Sequence, residues 1–114
     1  MLAVTMSNGS DITAERLLRL TELYQAGQAS PLVTTTINKL FAHEIAESRM
    51  QLEQLQADLA EFEVRYQMRS EDFYTRYQAG QIDDRMDFVE WASLIQMVTN
   101  LQQRLQLLSD EAVI

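Results

Sequence analysis

Hydrophobic residues recur at helical spacing near the start of the chain. Leu17, Leu20 and Tyr24 are separated by three and four residues, which predicts one face of a first helix over about Thr13–Ala26. The threonine at its start is suited to accept from free backbone N–H groups. Gly27 follows directly and is suited to the left-handed residue that commonly ends a helix.

A much longer second helix is predicted after Ser30 and Pro31, which suit the cap and the first helical position. No breaker follows until Tyr66, although the three threonines at 34–36 could move the start toward Ile37. A helix over Leu32–Tyr66 would be about 52 Å long. This length exceeds the diameter of a compact globule of this many residues. We therefore expect the helix to be one arm of a hairpin or to be covered by a second subunit. Its apolar seam consists of Phe41, Ile45, Leu52, Leu55, Leu59, Phe62 and Tyr66.

A short third helix is predicted from Ser70, as its cap, to a C-terminal glycine at Gly80. It carries Phe73, Tyr74 and Tyr77 within about nine residues. A helix this short does not persist in isolation. We therefore expect its aromatic side chains to pack on another element.

The fourth helix is predicted to begin at Asp84 or Asp87 and to end at Leu108, with Asp87 and Glu90 resembling a capping box. Its seam alternates spacings of three and four residues, as the seam of the second helix does from Leu52 onward. The seam consists of Trp91, Leu94, Val98, Leu101, Leu105 and Leu108. Two seams of similar length are complementary, so the long helices should pack antiparallel with the third helix at the corner. The expected fold is all-α: a coiled-coil-like antiparallel hairpin with two shorter helices.

We expect a single helical domain over residues 11–108, preceded by a flexible polar lead-in at 1–10 and followed by a frayed tail at 109–114. The sequence Tyr-Gln-Ala-Gly-Gln occurs twice, at 24–28 and at 77–81, each time between a short helix and a longer one. A duplicated helical unit is one interpretation. Since the flanking residues differ, we favour the same helix-ending chemistry used twice.

The chain has 114 residues, with 17 acidic against 9 basic side chains and a net charge of −8. This balance opposes nucleic-acid binding, which needs clustered Lys and Arg, and suits a basic partner. No cysteine is available for a disulfide, a thiol nucleophile or a thiolate metal site. No apolar run approaches membrane-spanning length, and the N-terminus does not resemble a secretory signal. We therefore expect a cytoplasmic protein with no membrane association.

Two groups of side chains could be taken for metal sites. His43 and Glu47 are four residues apart, but no second histidine exists to complete a zinc site, so a surface or interface role is favoured. The second group comprises Asp83, Asp84, Asp87 and Glu90. It has neither the spacing nor the glycine of a calcium-binding loop, and acidic residues are expected at a helix start because they interact favourably with the helix dipole. No nucleophile or phosphate-binding motif is present, so we expect no enzyme activity, no metal and no cofactor.

Most of the chain resembles small all-helical prokaryotic proteins described as antitoxin-like, encoded beside a small toxin. The resemblance covers about Leu17–Leu108. Its matching positions are Leu59-Ala60-Glu61-Phe62-Glu63, Tyr66, Met68, Ser70-Glu71-Asp72-Phe73-Tyr74, Tyr77, Gly80, Asp83-Asp84 and Asp87-Phe88-Val89-Glu90-Trp91, with Ala29-Ser30-Pro31-Leu32-Val33 through Leu40 upstream. The resemblance implies binding to a partner protein and no catalysis.

We expect a non-catalytic module that neutralises a basic toxin by binding it. The expected contact surface comprises Phe73, Tyr74, Tyr77, Asp83, Asp84, Asp87 and Trp91. A homodimer is also expected, self-associating through Phe41, Ile45, Leu52, Leu55, Leu59 and Phe62. The alternative is a structural coiled-coil homo-oligomer or adaptor without a toxin. Many antitoxins bind operator DNA, but Arg16, Arg19 and Lys39 are the only candidate basic cluster here, within a possible helix-turn-helix at Thr13–Phe41.

Overall fold

The computed structural model describes residues 9–109 of the chain, with side-chain exposure from residue 12. All regular structure within these residues is helical, so the all-α prediction is confirmed. The helices are α1 (Gly9–Gln25), α2 (Pro31–Tyr66), α3 (Ser70–Gln78) and α4 (Met86–Ser109). Residues 1–8 and 110–114, which hold most of the predicted lead-in and tail, lie outside the described range. None of the helices in this range combines the length and the apolar character of a membrane span.

The chain divides into two compact units, residues 1–39 and residues 40–114, which we describe separately. In the first unit, every side chain over 12–25 of α1 is exposed to solvent. Exposed leucines in α1 are Leu17, Leu18, Leu20 and Leu23. Within the first unit, packing against the described residues therefore contributes little to the stability of α1.

The second unit contains the antiparallel hairpin predicted from the two apolar seams. Near the corner, Arg65 of α2 contacts Asp87 in the first turn of α4. Toward the other end, Glu44 of α2 forms an ion pair with Arg104 near the end of α4. Contacts between early α2 and late α4, and between late α2 and early α4, define the antiparallel direction.

Both copies of the Tyr-Gln-Ala-Gly-Gln repeat end a helix with the same backbone hydrogen bonds. Gly27 and Gly80 both have φ of 74°, where a side chain would be strained. The N–H of Gln28 donates to the carbonyl of Leu23, and that of Gln81 to Arg76, each five residues back. These are Schellman turns, so the predicted glycine ends are confirmed and helix capping accounts for the repeat.

Three predicted helix starts are wrong in their details. Thr13 lies inside α1, which begins four residues earlier at Gly9. Ser70 is the first residue of α3 rather than its cap, and that position belongs to Arg69. Asp87 lies in the first turn of α4 and does not form a capping box, because its carboxylate accepts from Tyr66 and Arg65 of α2. By contrast, α2 begins at Pro31 despite the three threonines that follow.

The hydrophobic core of the second unit lies at the corner of the hairpin. It is centred on Phe62 of α2, Phe73 of α3 and Trp91 of α4. Further side chains packed against it include Leu59, Tyr66, Met68, Tyr77, Ile82, Phe88, Leu94 and Ile95. The nine-residue α3 is therefore held by tertiary contacts, as its length requires.

A candidate partner-binding elbow

The corner between the arms is formed by residues 67–91, which we call the elbow. It begins at Gln67, whose φ of 54° reverses the chain at the end of α2. The N–H of Met68 donates to the carbonyl of Glu63 over 3.2 Å as the chain turns. Gln67 thus adopts the left-handed backbone conformation that Gly27 and Gly80 adopt after α1 and α3. This conformation is less favourable for a residue with a side chain than for glycine.

Side-chain hydrogen bonds fix α3 to both arms of the hairpin. The backbone N–H of Ser70 donates to Glu63 Oε2 of α2 over 2.9 Å, so a distant carboxylate satisfies a free group at the helix start. The Ser70 hydroxyl accepts from the indole N–H of Trp91 over 3.0 Å. Because Ser70 and Trp91 are buried, this pairing satisfies a polar group that would be costly to leave unbonded.

Aromatic rings from α2, α3 and α4 pack together at the same corner. The rings of Phe73 and Trp91 are nearly parallel, with centroids 3.9 Å apart. Phe62 stacks on the same indole at 5.5 Å, and Tyr66 meets Phe88 edge to face at 4.9 Å. Phe73 and Trp91 have no exposed surface. We therefore assign these two predicted contact residues to the core and omit them from the proposed binding surface.

Asp87 is a structural residue as well as a surface carboxylate. Its Oδ2 accepts from the Tyr66 hydroxyl over 2.5 Å and from Arg65 over 3.1 Å. The hydrogen bond from Tyr66, more than the one from Arg65, holds the pKa of Asp87 below its ordinary value. The same hydrogen bond raises the pKa of Tyr66, since it favours the neutral hydroxyl. Asp87 is half-buried and offers less surface to a partner than the loop carboxylates do.

The loop before α4 presents its acidic residues to solvent. Asp83 accepts from both the side chain and the backbone N–H of Arg85, and these hydrogen bonds lower the pKa of the carboxyl. Arg85 also lies over the ring of Phe88, 4.7 Å from its centroid. Asp84 is exposed and forms no ion pair with any described residue. The loop thus has one paired and one unpaired carboxylate.

The two predicted tyrosines are half-buried on α3. The Tyr74 hydroxyl donates to the Gln96 side chain of α4 over 3.2 Å. The ring of Tyr77 packs against Phe73 with centroids 5.4 Å apart. Each tyrosine therefore stabilises the fold through part of its side chain and leaves the rest exposed for contact with a partner.

Acidic side chains outnumber basic ones in the elbow by six to three. Arg69 and Arg85 are each paired with an acidic residue of the elbow itself, Glu71 and Asp83. Asp72, Asp84 and Glu90 are exposed and have no ion pair within the described part of the chain. The result is a negative surface that retains several carboxylates for an external cation.

The predicted self-association seam is partly occupied within the monomer. Phe62 belongs to the core, and Phe41 is exposed. Between them, Ile45, Leu52, Leu55 and Leu59 are half-buried. Ser48, also on the arm, is buried. The isoleucine and the leucines of the seam thus keep part of their surface in solvent.

The remaining candidates do not form a recognisable site. His43 and Glu47 are exposed, while Glu44 is paired with Arg104. In the first unit, Arg19 is paired with Glu15 at 3.2 Å, and Arg16 lies beside it at a shallow apolar groove. Over residues 9–109, no three His, Asp or Glu side chains come together as metal ligands would.

Sequence reasoning missed three features of the elbow: the Glu63 cap, the Ser70–Trp91 hydrogen bond and the Tyr66–Asp87 hydrogen bond. Each joins residues of two different helices, through the backbone N–H of Ser70 in the first case and through two side chains in the others, so no local pattern indicates it. Comparison of the chain with protein families, with curated proteins and with solved structures found no match.

Proposed function

We propose that this protein is a non-catalytic, cytoplasmic binding module that neutralises a basic partner protein by direct binding. Its resemblance to antitoxin-like proteins supports the proposal, because it implies binding to a partner protein. The elbow is the proposed contact surface, through Tyr74, Tyr77, Asp83 and Asp84, with Asp87 at its edge. Phe73 and Trp91 support this surface from below. The partner is expected to be a small toxin encoded beside this chain.

The distribution of charge is the observation that carries the proposal. Residues 40–114 contain fourteen acidic and six basic side chains, whereas residues 1–39 contain three of each. The whole net charge of −8 therefore belongs to the unit that contains the hairpin and the elbow. Self-repulsion at this level destabilises a compact state, and a basic partner would relieve it.

Such a surface supports neutralisation in two steps. Long-range attraction between a negative module and a basic protein increases the rate of encounter and orients the two surfaces. Once bound, the elbow carboxylates occupy cationic groups that a nucleic-acid-cleaving toxin uses to hold phosphates. The half-buried tyrosines add the amphipathic aromatic area that is common at binding hot spots.

Co-expression with the product of the adjacent gene tests the proposal. The adjacent product alone should arrest growth, and co-expression with this chain should restore growth and yield a stable complex. A matched control is a variant whose elbow is unfolded, such as Phe73→Asp, which should not restore growth. An adjacent product that is harmless alone, or that remains toxic and unbound with this chain present, would contradict the proposal.

The second candidate is a structural homo-oligomer or adaptor in which the hairpin arms self-associate. The half-buried leucines of the α2 seam favour it, because a second copy could cover the surface that α4 leaves in solvent. A homodimer is compatible with both candidates. The two candidates differ in whether the product of the adjacent gene binds this chain tightly.

A further inference from the structure

A groove of about 560 Å³ runs along one side of the elbow, where α2, α3 and α4 meet. Its apolar lining comes from Leu59 of α2 and from Ile95 and Val98 of α4. Leu59 and Ile95 are half-buried, and Val98 is buried. An aliphatic chain lying on this lining would gain from burial of apolar surface.

The charged groups that line the groove are both carboxylates, Glu63 and Glu71. Glu63 uses one oxygen, Oε2, to cap α3 through the N–H of Ser70, which leaves Oε1 for a second donor. Glu71 is 75 % exposed and pairs with Arg69 at 3.6 Å. An exposed pair of this kind is weak, so a better-placed cation can replace Arg69.

We propose that this groove receives an arginine side chain of the basic partner, an inference that rests on the proposed function. The three methylenes of arginine would cover Leu59, Ile95 and Val98, and the guanidinium would donate to Glu63 Oε1 and to Glu71. Arginine suits such a site because it combines an aliphatic stem with a planar donor fork. A carboxylate that is already held in place by Ser70 costs little entropy to engage.

The test uses the isotope-labelled full chain and two blocked dipeptides, N-acetyl-leucyl-arginine amide and its citrulline counterpart. Citrulline has nearly the same shape as arginine but no charge. Amide shifts on adding the arginine peptide should be confined to residues lining the groove, and the citrulline peptide should bind at least about fivefold more weakly. Glu63→Gln and Glu71→Gln should each weaken arginine binding by about fivefold, and Glu63→Gln keeps the oxygen that caps α3.

Glu53→Gln is the matched control, since it removes one exposed carboxylate of the α2 arm that neither lines the groove nor belongs to the proposed contact surface. Arginine binding should be unchanged in this variant. Equal binding of both peptides, shifts scattered over the surface, or no effect of Glu63→Gln and Glu71→Gln would overturn the groove proposal. The proposed function fails separately, when the adjacent gene product neither arrests growth nor binds this chain, whatever the peptides do.

Discussion

The indole N–H of Trp91 donates a 3.0 Å hydrogen bond to the hydroxyl of Ser70, and this bond joins α4 to the first residue of α3. Both residues are buried. The backbone N–H of the same serine donates to Glu63 of α2. One residue thus ties together the three helices that form the elbow, and the acidic surface depends on it for its shape.

Replacing Ser70 by alanine should therefore lower the free energy of unfolding by about 1–3 kcal/mol, because the indole N–H would be left buried without an acceptor. Urea unfolding followed by circular dichroism measures this. The control is Ser93→Ala, which changes an exposed serine of α4 and should have little effect. Equal stability of the two variants would show that the Ser70–Trp91 bond contributes nothing.

Phe73→Ala should be among the most destabilising single substitutions in the chain. Phe73 is fully buried and stacks on Trp91 at 3.9 Å, so truncation leaves a cavity in the elbow core and should cost about 3–5 kcal/mol. Phe41→Ala is the matched control, since Phe41 is 40 % exposed, and it should cost far less. Thermal and urea unfolding of both variants would compare them directly, and similar losses would contradict the placement of the core.

The hydrogen bond from Tyr66 to Asp87 should appear as a pH-dependent contribution to stability. The pKa of Asp87 is lower in the folded chain than its ordinary value of 3.8. The folded state therefore binds fewer protons at this carboxyl, and the contribution is present above about pH 3.8 and lost as the pH falls through the lower folded value. The difference in unfolding free energy between wild type and Tyr66→Phe should be largest near neutral pH and shrink below pH 3.8.

Carboxyl NMR titration provides a second measure of the same bond. In Tyr66→Phe the pKa of Asp87 should rise toward its ordinary value, whereas the pKa of Asp83, lowered by Arg85, should stay low. Tyr24→Phe, which removes a hydroxyl from exposed Tyr24, is the stability control. A wild-type to Tyr66→Phe difference that is constant with pH would count against the proposed coupling.

Sequence reasoning was most accurate where structure depends on local pattern. The order of four helices, the end of α2 at Tyr66 and both glycine ends follow from periodicity and helix-ending chemistry, which act over a few residues. The antiparallel hairpin follows because two seams with the same spacing can cover each other. These features require no knowledge of which side chains meet across the fold.

The elbow could not be predicted in the same way. Apolar spacing marks Phe73 and Trp91 as aromatic anchors but does not say whether they face the core or a partner, which depends on where α3 lies. Likewise, an acidic residue near a helix start suggests a cap, yet the hydroxyl of Tyr66 directs Asp87 toward α2. Burial and side-chain partners at a corner are tertiary properties, and three helices must be placed to obtain them.

Replacing Asp83 and Asp84 together by asparagine should weaken binding of the basic partner at low salt, with a smaller effect at high salt, because exposed charges act mainly through screened attraction. Asp87 is left unchanged, since its loss would disturb the contact with Tyr66. The double variant Glu47→Gln and Glu53→Gln removes the same charge from exposed positions on the α2 arm. Calorimetry over a range of salt concentrations would compare the two, and equal losses would show that the effect is not specific to the elbow.

Leu55→Asp tests whether the arms of the hairpin self-associate. Leu55 lies on α2 beside Met97 and Leu101 of α4, in a groove that remains open to solvent. If a second copy covers this groove, wild type should sediment at twice the 13.2 kDa chain mass, and an aspartate there should return it to a single chain, because a buried unpaired charge is costly. Circular dichroism separates dissociation from unfolding, and Leu107→Asp, at a leucine that is 80 % exposed, is the control. A wild-type protein that sediments as one chain at all concentrations, or a Leu55→Asp variant that remains a dimer, would exclude this seam as the interface.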